Sequence, residues 1–215
     1  SAFKNIKLKV RGEALGTILS KRRSECAAAL ALYCKPEVIM KESLSKTLFF
    51  ASSVLPVKVL NDHLIRLGFE PMMIYAGTNA NLTANIEAFT DDPNINPICA
   101  TMQSLSEAVP VTAASTVVLL NRPFRQAQFD QVISRADRLG QIHPVTIIEV
   151  TLDTGDEPNV SSSTDAMRAN IRELINDLVG PEFAGPPIED RIYQQTIDAS
   201  KEDPVLLYSD EKLGL

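Results

Sequence analysis

Two arginines stand three residues apart in the string QVISRADRLGQ: Arg135 and Arg138, with Gln131 four residues before the first and Gly140 two residues past the second. A guanidinium stays charged and offers a planar fork of donors that matches phosphate oxygens. Two of them on one rigid support can meet the charge that develops on a phosphoryl group in transfer. The stretch 126–140, QAQFDQVISRADRLG, has a helical period. At about 100° per residue, Phe129, Val132, Ile133, Ala136 and Leu139 form an apolar stripe, and Gln131, Arg135 and Arg138 share a neighbouring flank. Taken alone, such a pair also suits a solvated helix face on which Asp130 and Asp137 pair locally.

Other chemistries find little support. None of the nine glycines is followed by lysine, so the chain has no phosphate-cradling loop of the GxxxxGK[ST] kind. There is no GxGxxG, GxSxG or HExxH. The cysteines (Cys26, Cys34, Cys99) have no CxxC spacing and the histidines are only His63 and His143, which argues against a metal site and for reduced, buried thiols. The paired carboxylates Asp91 and Asp92 sit in FTDDPNIN, a surface turn by composition.

The elements that must position the arginines can be read from hydropathy. Short, almost continuously apolar runs, TLFFAS (47–52), EPMMIYA (70–76), INPICAT (95–101), STVVLLN (115–121) and VTIIEVTL (145–152), predict strands covered on both faces. Between them lie helical patterns: VKVLNDHLIRLGF stopping at Gly68, LTANIEAF, and the arginine-bearing stretch. Strands alternating with helices predict an α/β domain over 44–152, a mainly parallel sheet with helices on both faces. A basic helical segment (1–43) precedes it, and a linker, a helix over 164–178 and an acidic tail (153–215) follow.

Charge is uneven along the chain. Residues 1–46 hold ten Lys and Arg against four Asp and Glu, whereas residues 153–215 hold five against fourteen. With a formal net charge of -6, contact with nucleic acid must run through local patches. No apolar run approaches a membrane span, and SAFKNIKLKV has no signal-peptide character, so a chain that is not secreted and has no membrane partner is expected.

The ordered set of motifs resembles the carboxy-terminal RecA-like lobe of superfamily 2 helicases, most closely the Swi/Snf-type DNA translocases. Gln131, Arg135, Arg138, Gly140 and Gln141 match that family's Gln-x-x-x-Arg-x-x-Arg-x-Gly-Gln position by position, after a loop, Asn121-Arg122-Pro123-Phe124, in which Phe124 stands where the family has tryptophan. KTLFFASSV (46–54), YAGTNANLTANIEAF (75–89) and ICATMQSLSEAVPVTAASTVV (98–118) fall in the family's order, so the likeness covers 46 to about 152. Ser106 to Pro110 replace the family's glycines and asparagine, and Leu82 stands where an arginine is common.

The resemblance implies a two-lobe motor in which ATP and Mg2+ are held mainly by a first lobe absent from this chain. Arg135 and Arg138 would then be arginine fingers aided by Gln131, on a cleft beside the carboxyl edge of the sheet. It further implies Ser52, Ser53, Thr78, Thr101 and Ser104 as contacts to a DNA strand, with RNA also open. The basic Lys21, Arg22 and Arg23 are candidates to cross a duplex backbone. The expected partners are the amino-terminal lobe, nucleic acid and a protein for the acidic tail. The expected place is cytoplasmic or nucleic-acid associated, the nucleus in a eukaryote. The isolated chain would not hydrolyse ATP. The rewritten Ser106–Pro110 stretch also suits a degenerate lobe that serves as a non-catalytic binding platform.

Overall fold

The computed structural model describes residues 13–76, 81–105, 109–123, 126–155, 159, 161–162, 165–166, 169–170 and 192–193. Helices α1 (Glu13–Tyr33) and α2 (Pro36–Glu42) lead into β1 (Lys46–Ala51), α3 (Val54–Arg66), β2 (Glu70–Ile74), α4 (Leu82–Asp91) and β3 (Ile95–Thr101). Then come β4 (Ala114–Leu119), α5 (Gln126–Ile133), β5 (Thr146–Glu149) and a short β6 (Ile192–Tyr193). The sheet order is β2-β3-β1-β4-β5-β6, with all pairings parallel.

Strand side chains alternate between two cores. Leu48, Phe50, Ile98, Ala100, Val117 and Leu119 pack with α4 (Ile86, Phe89) and α5 (Phe129, Val132) on one face. Phe49, Ala51, Cys99, Val118 and Leu120 pack on the other face with Ala31 of α1, Ile39 and Met40 of α2, and Val57, Leu60 and Leu64 of α3. Burial on both faces is why these strands read as continuous apolar runs. Each large side chain so covered contributes about 1.5 to 3 kcal/mol of burial. β2 lies at the sheet's edge, and only its Ile74 is fully buried.

The end of α3 illustrates local control. Gly68, at φ 85, takes the left-handed conformation that a helix stop requires. Its N–H donates to the Ile65 carbonyl at 3.0 Å, and the Phe69 N–H donates to the Leu64 carbonyl at 3.0 Å, a Schellman closure. At the far end of α4 the Lys46 ammonium donates to the carbonyls of Phe89 and Asp92, satisfying groups the helix leaves open.

Three expectations need revision or fall elsewhere. The helix expected over 126–140 ends at Ile133, and Leu139, placed on its core stripe, is fully exposed. Residues 192–193 pair with β5, although the final stretch carries no strand signal of its own. The helix expected over 164–178 lies mostly outside the described residues, as do Thr78, Phe124, Ser106, Glu107 and Ala108.

The connection leaving β1 leads to β2 and β3 on one side of β1, whereas the chain from β4 onward builds the other side. The carboxyl ends of β1 and β4 therefore flank the topological switch point, where open α/β sheets form their crevice.

Candidate functional site

The arginine turn lies at the amino end of the sheet. After Ile133 the backbone tightens. The Arg135 N–H donates to the Val132 carbonyl at 3.2 Å and the Ala136 N–H to that of Ile133 at 3.0 Å. The helix stops because its next carbonyls find competing donors. The Val111 N–H takes the Arg135 carbonyl at 2.8 Å. The Gln141 side-chain amide donates to Ala136 at 3.1 Å and to Ala114, the first residue of β4, at 2.8 Å. Gln141 Oε1 in turn accepts the His143 N–H at 3.0 Å, and Gly140, at φ 103, allows the reversal between Arg138 and this staple. The glutamine that closes the QVISRADRLGQ string is thus a structural fastener.

Gln131 and Arg138 are exposed, while Arg135 is 4% exposed. Burial lowers the Arg135 pKa below the usual arginine value, and the nearby Arg138 charge lowers it further, so the two guanidinium groups share one electrostatic neighbourhood. They do so on a turn at the amino edge, where the sequence placed them on a helix flank beside the carboxyl edge.

The carboxyl edge gathers a different set. Following β1, the Ser52 N–H donates to Asn121 Oδ1 at 2.9 Å, and Asn121 Nδ2 donates back to Ser52 Oγ at 2.9 Å. Ser53 occupies the N-cap position of α3, yet its hydroxyl bonds Ser24 of α1 at 2.7 Å and leaves the helix amides uncapped. Thr101 and Ser104 are buried, at 5% and 4% exposure, with their hydroxyls 2.5 Å apart. Met102 lies beside Ser52, whose hydroxyl donates to its sulfur at 3.8 Å. Of the sequence-selected hydroxyls described, Ser52 is exposed, Ser53 half-buried, and Thr101 and Ser104 buried.

Two residues, Asn121 and Arg122, escaped the sequence reading as site groups. Asn121 links β4 to β1, and its signal is a polar residue ending an apolar run. Arg122 forms ion pairs through Nε with Glu149 at 2.7 Å and through a terminal nitrogen with Asp165 at 3.1 Å. Its carbonyl accepts from Arg23 at 3.0 Å. Arg23 therefore turns inward, while Lys21 and Arg22 stay in solvent and pair with Glu25 at 3.8 and 3.0 Å.

Cys34 and Cys99 are buried, and burial pushes the Cys34 thiol up to about 12 and the Cys99 thiol higher still, which makes both poor nucleophiles. Among the described residues no group of three His, Cys, Asp or Glu side chains is placed to hold a metal ion, and no helix is long and apolar enough to cross a membrane.

A parallel sheet wrapped on both faces, with an arginine turn at one end and hydroxyls at the other, has the architecture of a RecA-like α/β lobe. The sequence is similar to helicases of the Swi/Snf type, and what it resembles is the carboxy-terminal lobe of a superfamily 2 helicase. One relative is an uncharacterized ATP-dependent helicase of Schizosaccharomyces pombe, 25% identical over 151 residues that make up 70% of this chain and 14% of the relative. Another is the helicase-like transcription factor CHR28 of Arabidopsis thaliana, 25% identical over 100 residues, 46% of this chain and 10% of the relative. The chain thus spans a small fraction of the length of the relatives it matches. Among solved structures, the carboxy-terminal part of the Fun30 ATPase domain superposes with a TM-score of 0.47 at 18% identity, over 64% of this chain and 50% of that one. No family model matches the chain.

Proposed function

We propose that this chain is the second motor lobe of an ATP-dependent nucleic-acid translocase or helicase. Arg138, with Arg135 beneath it and Gln131 beside it, meets the phosphates of a nucleotide held by another RecA-like lobe of the same protein. The observation that supports this most directly is the turn from Ala136 to Gln141. It fixes the backbone on both sides of an exposed arginine through Gly140 and the Gln141 amide, the preorganised support that a cation aimed at a transferring phosphoryl group requires. ATP, when bound, supplies the transferable phosphoryl group. Toward it this chain contributes arginine donors, with Mg2+ held mainly by the other lobe.

Ser52, exposed at the crevice between β1 and β4, is the foremost candidate contact to a DNA backbone. Ser53 follows it in the chain, Thr78 after β2 is a further candidate, and the buried Thr101–Ser104 pair holds the turn after β3 in shape. An RNA strand offers the same phosphates. A nucleic-acid-associated place in the cell follows from that role, in the nucleus for a eukaryote. The acidic residues after 153 are left to meet a protein partner.

In the complete two-lobe protein, Arg138→Ala is expected to lower DNA-stimulated ATP turnover by about three to five powers of ten. A variant that turns over ATP at the parental rate removes the motor reading. The 4% exposure of Arg135 favours a second reading, a lobe that keeps the fold and serves as a binding platform. That reading expects both arginine variants to leave turnover unchanged.

A further inference from the structure

The two most exposed large apolar side chains among the described residues both lie on the arginine turn. Leu139 is 104% exposed and Ile142 85%, whereas Val38, Leu44, Ile65 and Leu67 lie between 39% and 63%. A single exposed aliphatic side chain is ordinary on a protein surface, where polar groups are too few to cover everything. Two within four residues, on a pinned backbone, call for another reason. The Arg138 N–H donates to the Ala136 carbonyl at 3.1 Å, and the Arg138 carbonyl accepts the Gln141 N–H at 3.0 Å. With the Gln141 amide fastened to Ala114 and Ala136, Leu139 and Ile142 are held out in solvent, Leu139 directly after Arg138.

Geometry limits what can cover them. A body that brings a phosphate oxygen within about 2.9 Å of the Arg138 guanidinium must lie over this turn, since successive Cα atoms are only about 3.8 Å apart. Size then separates the candidates. A stable contact between separate chains buries about 1,200 to 2,000 Å² over about 20 to 30 residues a side, and two aliphatic side chains fall far short of that. A contact within one polypeptide needs much less, because tethering supplies a high effective concentration. The relatives this chain matches are long enough to carry such a body, the matched residues making up 14% of one and 10% of the other.

We infer that Leu139 and Ile142 form an apolar seat for the nucleotide-bearing lobe of the same polypeptide and so position Arg138 against its phosphates. This rests on the motor role proposed for Arg138. Neither side chain touches the nucleotide. Each acts by leaving water when the lobes meet, a driving force that is non-directional and therefore suits a contact made and broken in every cycle. Their burial also removes water from around Arg138 at the moment it faces a phosphate, and the attraction between the two charges grows as the local dielectric falls.

The test uses the complete two-lobe protein carrying Leu139→Ser with Ile142→Ser. DNA-stimulated kcat is expected to fall about ten- to hundredfold. KM for ATP should stay within about twofold of the parent, because the nucleotide is bound mainly by the other lobe. The conservative pair Leu139→Met with Ile142→Leu should restore kcat to within about threefold. Energy transfer between dyes on the two lobes, with a non-hydrolysable ATP analogue bound, should report closure in the parent and in Arg138→Ala but not in the serine variant. Parental closure and turnover in the serine variant, with Arg138→Ala inactive, overturn the seat and leave the motor reading standing. Parental turnover in Arg138→Ala overturns the motor reading and the seat with it. A urea midpoint lowered in the serine variant makes the pair part of the fold and overturns the seat. A dimer of the 215-residue chain that the serine variant dissociates in sedimentation assigns the surface to a second copy, which overturns it too.

Discussion

At the carboxyl end of the sheet the polar side chains answer one another: Asn121 with Ser52, Thr101 with Ser104, Arg122 with Glu149. At the amino end, Arg138, Leu139 and Ile142 stand in solvent on a turn, the two apolar side chains at 104% and 85% exposure. The first end is held by bonds between side chains from distant strands. The arginine turn at the second is held by backbone, a glycine and one glutamine. The same sheet can therefore carry one end whose polar groups are structural ties and another that presents an arginine at the surface on a fixed turn, the separation expected of a residue kept for function.

That separation is open to direct attack. Arg122→Ala removes the cation 2.7 Å from the buried Glu149 carboxylate, and removing one partner of a buried pair costs about 3 kcal/mol, read from urea denaturation. Arg138→Ala should move the same midpoint by no more than about 0.5 kcal/mol, the usual scale for exposed surface changes. Equal destabilisation by the two variants would erase the distinction between the ends.

Smaller effects should map the support of the turn. Gln141→Ala strips a donor from two carbonyls, Ala114 and Ala136, and is expected to cost about 1 to 3 kcal/mol. Gly140→Ala forces a Cβ onto φ 103 and should cost about 1 to 2 kcal/mol, although open space surrounds the position. If Gln141→Ala leaves stability unchanged while the Arg138 backbone stays protected from hydrogen exchange, the glutamine is no fastener.

How much of this was legible depends on whether the partners are neighbours in sequence. The strands were readable because burial on both faces writes an uninterrupted apolar run, and the stop of α3 was readable because Gly68 stands at the end of its stripe. The stop of α5 was not, since the donors that take the Arg135 and Ala136 carbonyls come from Val111 and Gln141, one of them 24 residues upstream. A periodic pattern continues through 140 whether or not those donors arrive. The hydroxyls at strand ends were found by type, but their burial was hidden. The Asn121–Ser52 bridge joins residues 69 apart and the Arg122–Asp165 pair residues 43 apart, distances over which a single sequence carries no trace of pairing.

The smallest expected effect separates the ends by pH. His63 sits in the last turn of α3, toward the amino end of the sheet, and burial holds its imidazole below the ordinary histidine pKa. The Arg66 charge adds to that lowering and the Glu37 carboxylate opposes it. The unfolded chain therefore takes up this proton at a higher pH than the folded one. The contribution to stability is intact above about pH 6.5 and is lost as pH falls through and below that value. Denaturation midpoints taken at about pH 7.5 and pH 5.5 should differ in the parent and draw together in His63→Asn. An undiminished difference in that variant would assign the acid sensitivity to carboxylates, with the ion pairs of Arg122 the first to examine, and would move the pH-responsive end of the molecule from the amino edge to the carboxyl edge.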